Sequence, residues 1–286
     1  MRKLITLLAI IILFSACKKT ENTTVTNSSE IKNDSISADH SASEVISNSG
    51  SLLDLFTKKK DEIVLKLKSI SAEEANVLYE KYHEENGYLL HKIDEKEDRL
   101  LQNFYSEKEA DKKEIKSLND KLLKHQLQFD ELGEGIVEIT TKPDFYYTLF
   151  KNYVTRDYKE YLFMQSEENK QPYSADAGLI ISFKDLGDRV VSWENFMNKY
   201  PNSKLMKSVK EDYKMYQLDY LIGEDNTPTY ERAADEKYIY PENIEEFNRF
   251  LKKYPNSPTV PLIHTFMENF KNENIAEMLR AAQDKL

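Results

Sequence analysis

Fourteen of the 18 tyrosines in this 286-residue chain lie after residue 140, and no other residue type comes as close to suggesting a site. Tyr213, Tyr216 and Tyr220 recur at helical intervals. Tyr230 follows them beyond a polar stretch, Gly223-Glu-Asp225-Asn226-Thr-Pro228. A tyrosine offers an apolar ring and a hydroxyl, which suits a binding surface with one dry side and one wet side. Tyr213, Tyr216, Tyr220, Asp225, Asn226 and Tyr230 are therefore the candidate binding residues. Most other tyrosines fall in helical stripes and are expected in the core. Beyond this set the chemistry is thin. Glu224-Asp225-Asn226 lacks the spacing of a calcium loop. The five histidines are scattered, and His83 and His91 do not share a helix face. His125 lies on an apolar stripe and reads as a core or interface histidine with a hydrogen-bond partner. There is no His-Glu-x-x-His, no phosphate loop, no nucleophile elbow and no dinucleotide fingerprint. No catalytic residue, metal site or cofactor is expected, and the chain is read as a non-enzyme.

Helices must position these residues. Glycine and proline total only 15 residues, and charged residues make up 31%, which favours helix over strand and turn. From residue 51 to 132 the apolar residues recur at helical spacing. Ser51 with Asp54, Ser71 with Glu74, and Ser106 with Glu109 read as helix starts. The third stripe (Ile115, Leu118, Leu122, His125, Phe129, Leu132) predicts a helix stopped by Gly133 and Gly135. A helical hairpin or bundle is expected over 51–132, followed by an aromatic-rich helical domain over 133–286. Residues 136–142 are the only strand-like run. Ser174 is expected to cap a helix carrying Leu179, Ile180, Phe183 and Leu186, with Gly187 separating it from the next.

One unit is used twice. Trp193, Phe196, Met197 and Tyr200 form an apolar helix face that ends in Lys199-Tyr200-Pro201-Asn-Ser203. Phe247, Phe250, Leu251 and Tyr254 repeat it 54 positions later, ending in Lys253-Tyr254-Pro255-Asn-Ser257. Each proline stops its helix, and each serine can cap the one that follows. This aromatic helix, Tyr-Pro-x-Ser turn and second helix resemble the tetratricopeptide-like pairs of bacterial envelope lipoproteins. The repeat spacing exceeds the roughly 34 residues of that motif, so helix pairs are expected rather than a regular superhelix.

The N-terminus carries the most specific signal. Arg2 and Lys3 precede an apolar run from Leu4 to Phe14, and Ser15-Ala16-Cys17 follows. A run of eleven residues is too short for a bilayer-spanning helix, which takes about 20. The pattern is similar to a bacterial lipoprotein signal. That resemblance implies removal of residues 1–16 and a diacylglycerol on Cys17, the only cysteine, which would leave no free thiol for catalysis. Residues 17–50 then read as the lipidated cysteine and a Ser/Thr/Asn-rich tether without aromatics, too polar to pack a core.

The expected protein is all-α, lipid-anchored in the cell envelope, with the outer membrane as the expected site. Its expected work is to bind an envelope protein or peptide. The alternative is a glycan or small molecule held in a tyrosine-lined pocket. A net charge of −10 argues against nucleic acid as a partner.

Overall fold

The computed structural model describes residues 51–233 and 236–285. Residues 1–16, Cys17 and the tether lie outside the described residues. The chain is mostly helical, as its composition predicts. Among the described residues, no helix is long and apolar enough to cross a membrane.

The first two helices begin where their capping boxes say. Helix α1 (Leu52–Leu67) starts at Ser51, whose hydroxyl accepts the Asp54 N–H while Asp54 accepts the Ser51 N–H. Helix α2 (Ala72–Gln102) starts at Ser71 with the same exchange through Glu74. Helix α3 (Glu109–Lys124) departs from expectation at both ends. Lys108 stands at its N-cap without a side-chain cap, and the Ser106 hydroxyl donates instead to Asp111, 2.7 Å away.

At its far end α3 does not run on to Leu132. His125 closes it, Gln126 adopts φ +62°, and β1 (Leu127–Gly133) begins. β1 pairs antiparallel with β2 (Ile136–Thr141) through a turn at Glu134-Gly135. The apolar run over 122–132 satisfies both periodicities, and the available partner strand decides it: Val137 and Ile139 of β2 are buried, and the Ile139 N–H donates to Asp94 of α2 at 2.8 Å. His125 is half-buried, its Nδ1 2.7 Å from the Thr57 hydroxyl of α1, in the structural role expected of it.

Helices α4 (Phe145–Phe150) and α5 (Arg156–Lys170) close the first aromatic core. Phe56, Tyr79, Tyr82, Phe145, Phe150 and Tyr158 are all buried there. Their rings meet mostly tilted or edge to face, as for Tyr79 on Phe150 at 5.4 Å, which suits the ring quadrupoles. Asn76 of α2 fixes the start of α5 by accepting the Thr155 N–H and donating to its hydroxyl.

Residues 174–179 are not a helix. Ser174–Ala175 (β3) and Gly178–Leu179 (β4) form a minimal hairpin around Asp176 and Ala177, both at positive φ. Ser182, not Ser174, caps the next helix, accepting the Asp185 N–H at 3.1 Å. That helix, α6 (Phe183–Lys199), runs unbroken through Gly187. A Cβ on Gly187 would lie 2.8 Å from the Tyr220 ring, so this glycine marks a close helix approach rather than a break.

The two repeats are two helix pairs: α6 with α7 (Met206–Ile222), and α8 (Pro241–Lys253) with α9 (Val260–Asn269). Their turns match closely. Tyr200 and Tyr254 end their helices at φ −129°, ψ 55° and φ −128°, ψ 56°. Ser203 and Ser257 each donate their N–H to the tyrosine carbonyl at 3.0 Å. Pro261 sits in the first turn of α9, where its missing N–H has no helical partner to lose. Helix α10 (Ile275–Gln283) ties back to α7 through Gln283, whose amide donates to the Lys214 carbonyl at 2.8 Å. The described residues belong to one compact unit. The 132/133 division drawn from sequence falls inside the β1–β2 hairpin, whose Gly133 packs on Asp176.

Candidate binding groove

The tyrosines singled out from sequence do not line an open surface. Tyr213, Tyr216, Tyr220 and Tyr230 are only 5, 7, 0 and 9% exposed. The hydroxyls of the first three turn inward onto carboxylates: Tyr213 donates to Glu194 at 2.8 Å, Tyr216 to Glu168 at 2.9 Å and Tyr220 to Glu246 at 3.0 Å. The helical stripe that nominated them is the core stripe of α7. The loop after Gly223 is pinned rather than free. Asn226 donates from its backbone to Ala177 and from its side chain to Asp176, and Thr227 accepts the Leu179 N–H. Asp225 is exposed and pairs with Arg232 at 3.0 Å. Gly223–Tyr230 therefore closes over the β3–β4 hairpin.

The repeat residues are structural. Trp193 and Phe247 are buried, and Pro201 and Pro255 sit in the two matched turns. Those turns also reach back to earlier helices. Tyr200 donates to Glu160 and Ser203 to Asp157, both on α5. Tyr254 donates to Asp188 and Ser257 to Glu194, both on α6.

These ties set an acid response. Burial acts to raise the pKa of Asp157, Glu160 and Asp188. It is outweighed by hydrogen bonds from Ser203 and Thr155, from Lys199 and Tyr200, and from Tyr254 and Lys253 respectively. All three end below their usual values of 3.8, 4.5 and 3.8. The stability they contribute is present above those values and is lost as pH falls through the folded-state ones. Glu168, Asp212 and Asp219 are shifted the other way, first by burial. The folded state takes up their protons first, so they add stability as pH falls toward their usual values of 4.5, 3.8 and 3.8. Urea unfolding followed from pH 7 to pH 3 should show stability rising to a maximum on the mildly acidic side, then falling. Asp188→Asn should flatten the fall. A monotonic curve would contradict these opposing shifts.

The surface feature with binding character lies between α4, α5 and α6. It is an open groove of about 730 Å³. Tyr147, Phe163 and Met164 give it an apolar lining, and Arg156, Lys159, Lys199 and one carboxylate, Glu160, a charged one. Phe163 is 46% exposed, large for a phenylalanine, and its ring lies 5.5 Å from that of Tyr147. Lys151 stands over the Tyr147 ring at 5.1 Å. Lys199 is neutralised by Glu160. Arg156 and Lys159 are exposed and take part in no ion pair among the described residues. Positions 156, 159 and 163 share one face of α5, so a basic, basic, aromatic stripe was present in the sequence but masked by the denser tyrosine pattern. Among the described residues, no group of three or more His, Cys, Asp or Glu could hold a metal ion. Compared with protein-family models, with curated proteins and with solved structures, the chain finds no match in any of the three.

Proposed function

We propose that this is a lipid-anchored envelope protein, held to the membrane through Cys17, and that it acts as a non-catalytic protein- or peptide-binding module. The groove over Phe163 is its docking surface, and its occupant is an acidic segment of a partner protein carrying one apolar side chain. One observation carries the reading: in a chain of net charge −10, two unpaired cations flank an exposed aromatic floor. Arg156 and Lys159 would attract the acidic segment, and Phe163 with Tyr147 would bury its apolar anchor. Such steering gives orientation and speed, and the buried anchor gives most of the affinity.

The test is fluorescence anisotropy with a labelled Glu/Asp-rich peptide bearing one central leucine, against the same peptide with lysine for each acid. The acidic peptide should bind, and more weakly as salt rises. The double replacement Arg156→Glu with Lys159→Glu should weaken it about tenfold or more. Phe163→Ala should weaken it while leaving the salt dependence in place. Equal binding of both peptides, or no effect of the double replacement, would rule the groove out.

A further inference from the structure

A second cavity has a different chemistry. It encloses about 290 Å³ between α2, the end of β2, α4 and α5. Tyr79, Tyr146 and Tyr161 give it aromatic walls, and Thr140, Gln165 and Ser166 give it polar ones. No aspartate, glutamate, lysine or arginine lines it, in a chain with 31% charged residues. Its one ionisable base, His83, is pushed below its usual value by burial, and its ring lies 4.9 Å from Tyr146. Burial pushes Tyr146 and Tyr161 up to about 12. The lining is therefore neutral at pH 7.

The lining is also rich in unused hydrogen-bonding groups. Ser166 is 2% exposed, and its hydroxyl has no partner among the described residues. A buried hydroxyl left unmade costs about 1–3 kcal/mol, and a helical serine ordinarily avoids this by donating to the carbonyl four residues back. The hydroxyls of Tyr79 and Tyr161 and the side-chain amide of Gln165 likewise make no hydrogen bond among the described residues. Aromatic faces beside several free neutral donors and acceptors match a ligand with apolar C–H faces and many hydroxyls. The volume is at the small end of ligand pockets, about 300–1,000 Å³, and suits one ring.

The geometry points to a binding site for one uncharged sugar ring in this cavity, with Ser166 and Gln165 meeting its hydroxyls and the tyrosines stacking on its faces. This site is separate from the groove over Phe163 and uses none of the tyrosines nominated from sequence. Tyr147 borders both, so it is left unchanged in the test.

Isothermal titration of the full chain uses glucose, galactose, mannose, N-acetylglucosamine and their methyl glycosides, with glucuronate as the charged control. At least one neutral sugar should bind saturably, and glucuronate should not. Ser166→Ala should fold with a thermal midpoint at or above that of wild type in the absence of sugar, since it removes an unpartnered buried hydroxyl, and bind about tenfold more weakly. Ser166→Leu should fill the cavity and abolish binding. The variant Arg156→Glu with Lys159→Glu should bind sugar normally, which separates this site from the peptide groove. Tighter binding of a methyl glycoside than of its free sugar identifies the terminal residue of a glycan as the ligand, and the reverse identifies a free monosaccharide. Absence of binding by every neutral sugar means that the cavity holds water alone and overturns the proposal. Equal binding by wild type and Ser166→Leu overturns it as well.

Discussion

Trp193→Ala should lower the unfolding free energy by about 3–5 kcal/mol, the usual range for removing a fully buried large aromatic. Trp193 is wholly buried. Its ring packs on Tyr161 at 5.9 Å and Phe196 at 5.8 Å, so alanine leaves a cavity between α5 and α6. Its indole N–H donates to Glu168 at 2.9 Å. Burial already raises the pKa of that carboxyl, and losing a donor leaves it worse solvated. Trp193→Phe should cost clearly less, since most of the ring volume stays. The measurement is urea unfolding by circular dichroism, because Trp193 is the only tryptophan and the variant has no tryptophan fluorescence to follow. A loss below about 1 kcal/mol would mean that this core collapses freely around the gap.

Gly223→Ala should cost about 3 kcal/mol or more, through two effects that add. Gly223 closes α7 at φ +68°, ψ −178°, a region essentially reserved for glycine. A Cβ there would also meet the Thr227 carbonyl oxygen at 2.2 Å and the Pro228 Cα at 2.8 Å. Both contacts are backbone, so no side-chain rotation relieves them. Relief requires the loop to lift, which breaks the Thr229 N–H to Ile222 carbonyl bond and the Thr227 contact to Leu179. Limited proteolysis should therefore cut the variant within 223–231 well before wild type. An intact loop with wild-type stability would show that the chain has another way around this turn.

Much of the fold was legible because it is written in local rules. Two capping boxes placed the starts of α1 and α2, and the Tyr-Pro-Asn-Ser repeat marked two matched helix ends. The missed elements are those where local rules tie. Leu122, Phe129 and Leu132 satisfy a helix, yet Leu127 and Phe129 satisfy a strand equally well. A partner strand nine to fourteen residues away settles it, by the register of Leu127 with Thr141. The hairpin at Ser174 was hidden for a similar reason. Asp176 and Ala177 take the positive φ of a two-residue hairpin turn, and the turn is held by Asn226, fifty residues on, which no local pattern reports. The tyrosine reading failed more simply: spacing places residues on one helix face but does not say whether that face meets water or another helix. For α7 it meets Glu168, Glu194 and Glu246.

The backward reach of the two turns has a consequence for how the chain is completed. Each turn supplies donors to acceptors on a helix made earlier. Until α8 and α9 exist, Asp188 and Glu194 lack the hydroxyls of Tyr254, Ser257 and Thr259 that satisfy them. Until α10 exists, the Lys214 carbonyl lacks the Gln283 amide. Until the tail arrives these acceptors rest on water or on nearer partners, as Glu194 does on Tyr213. Loss of the last two helices should therefore destabilise α6 and α7 as well, read as a lower urea midpoint of the shortened chain.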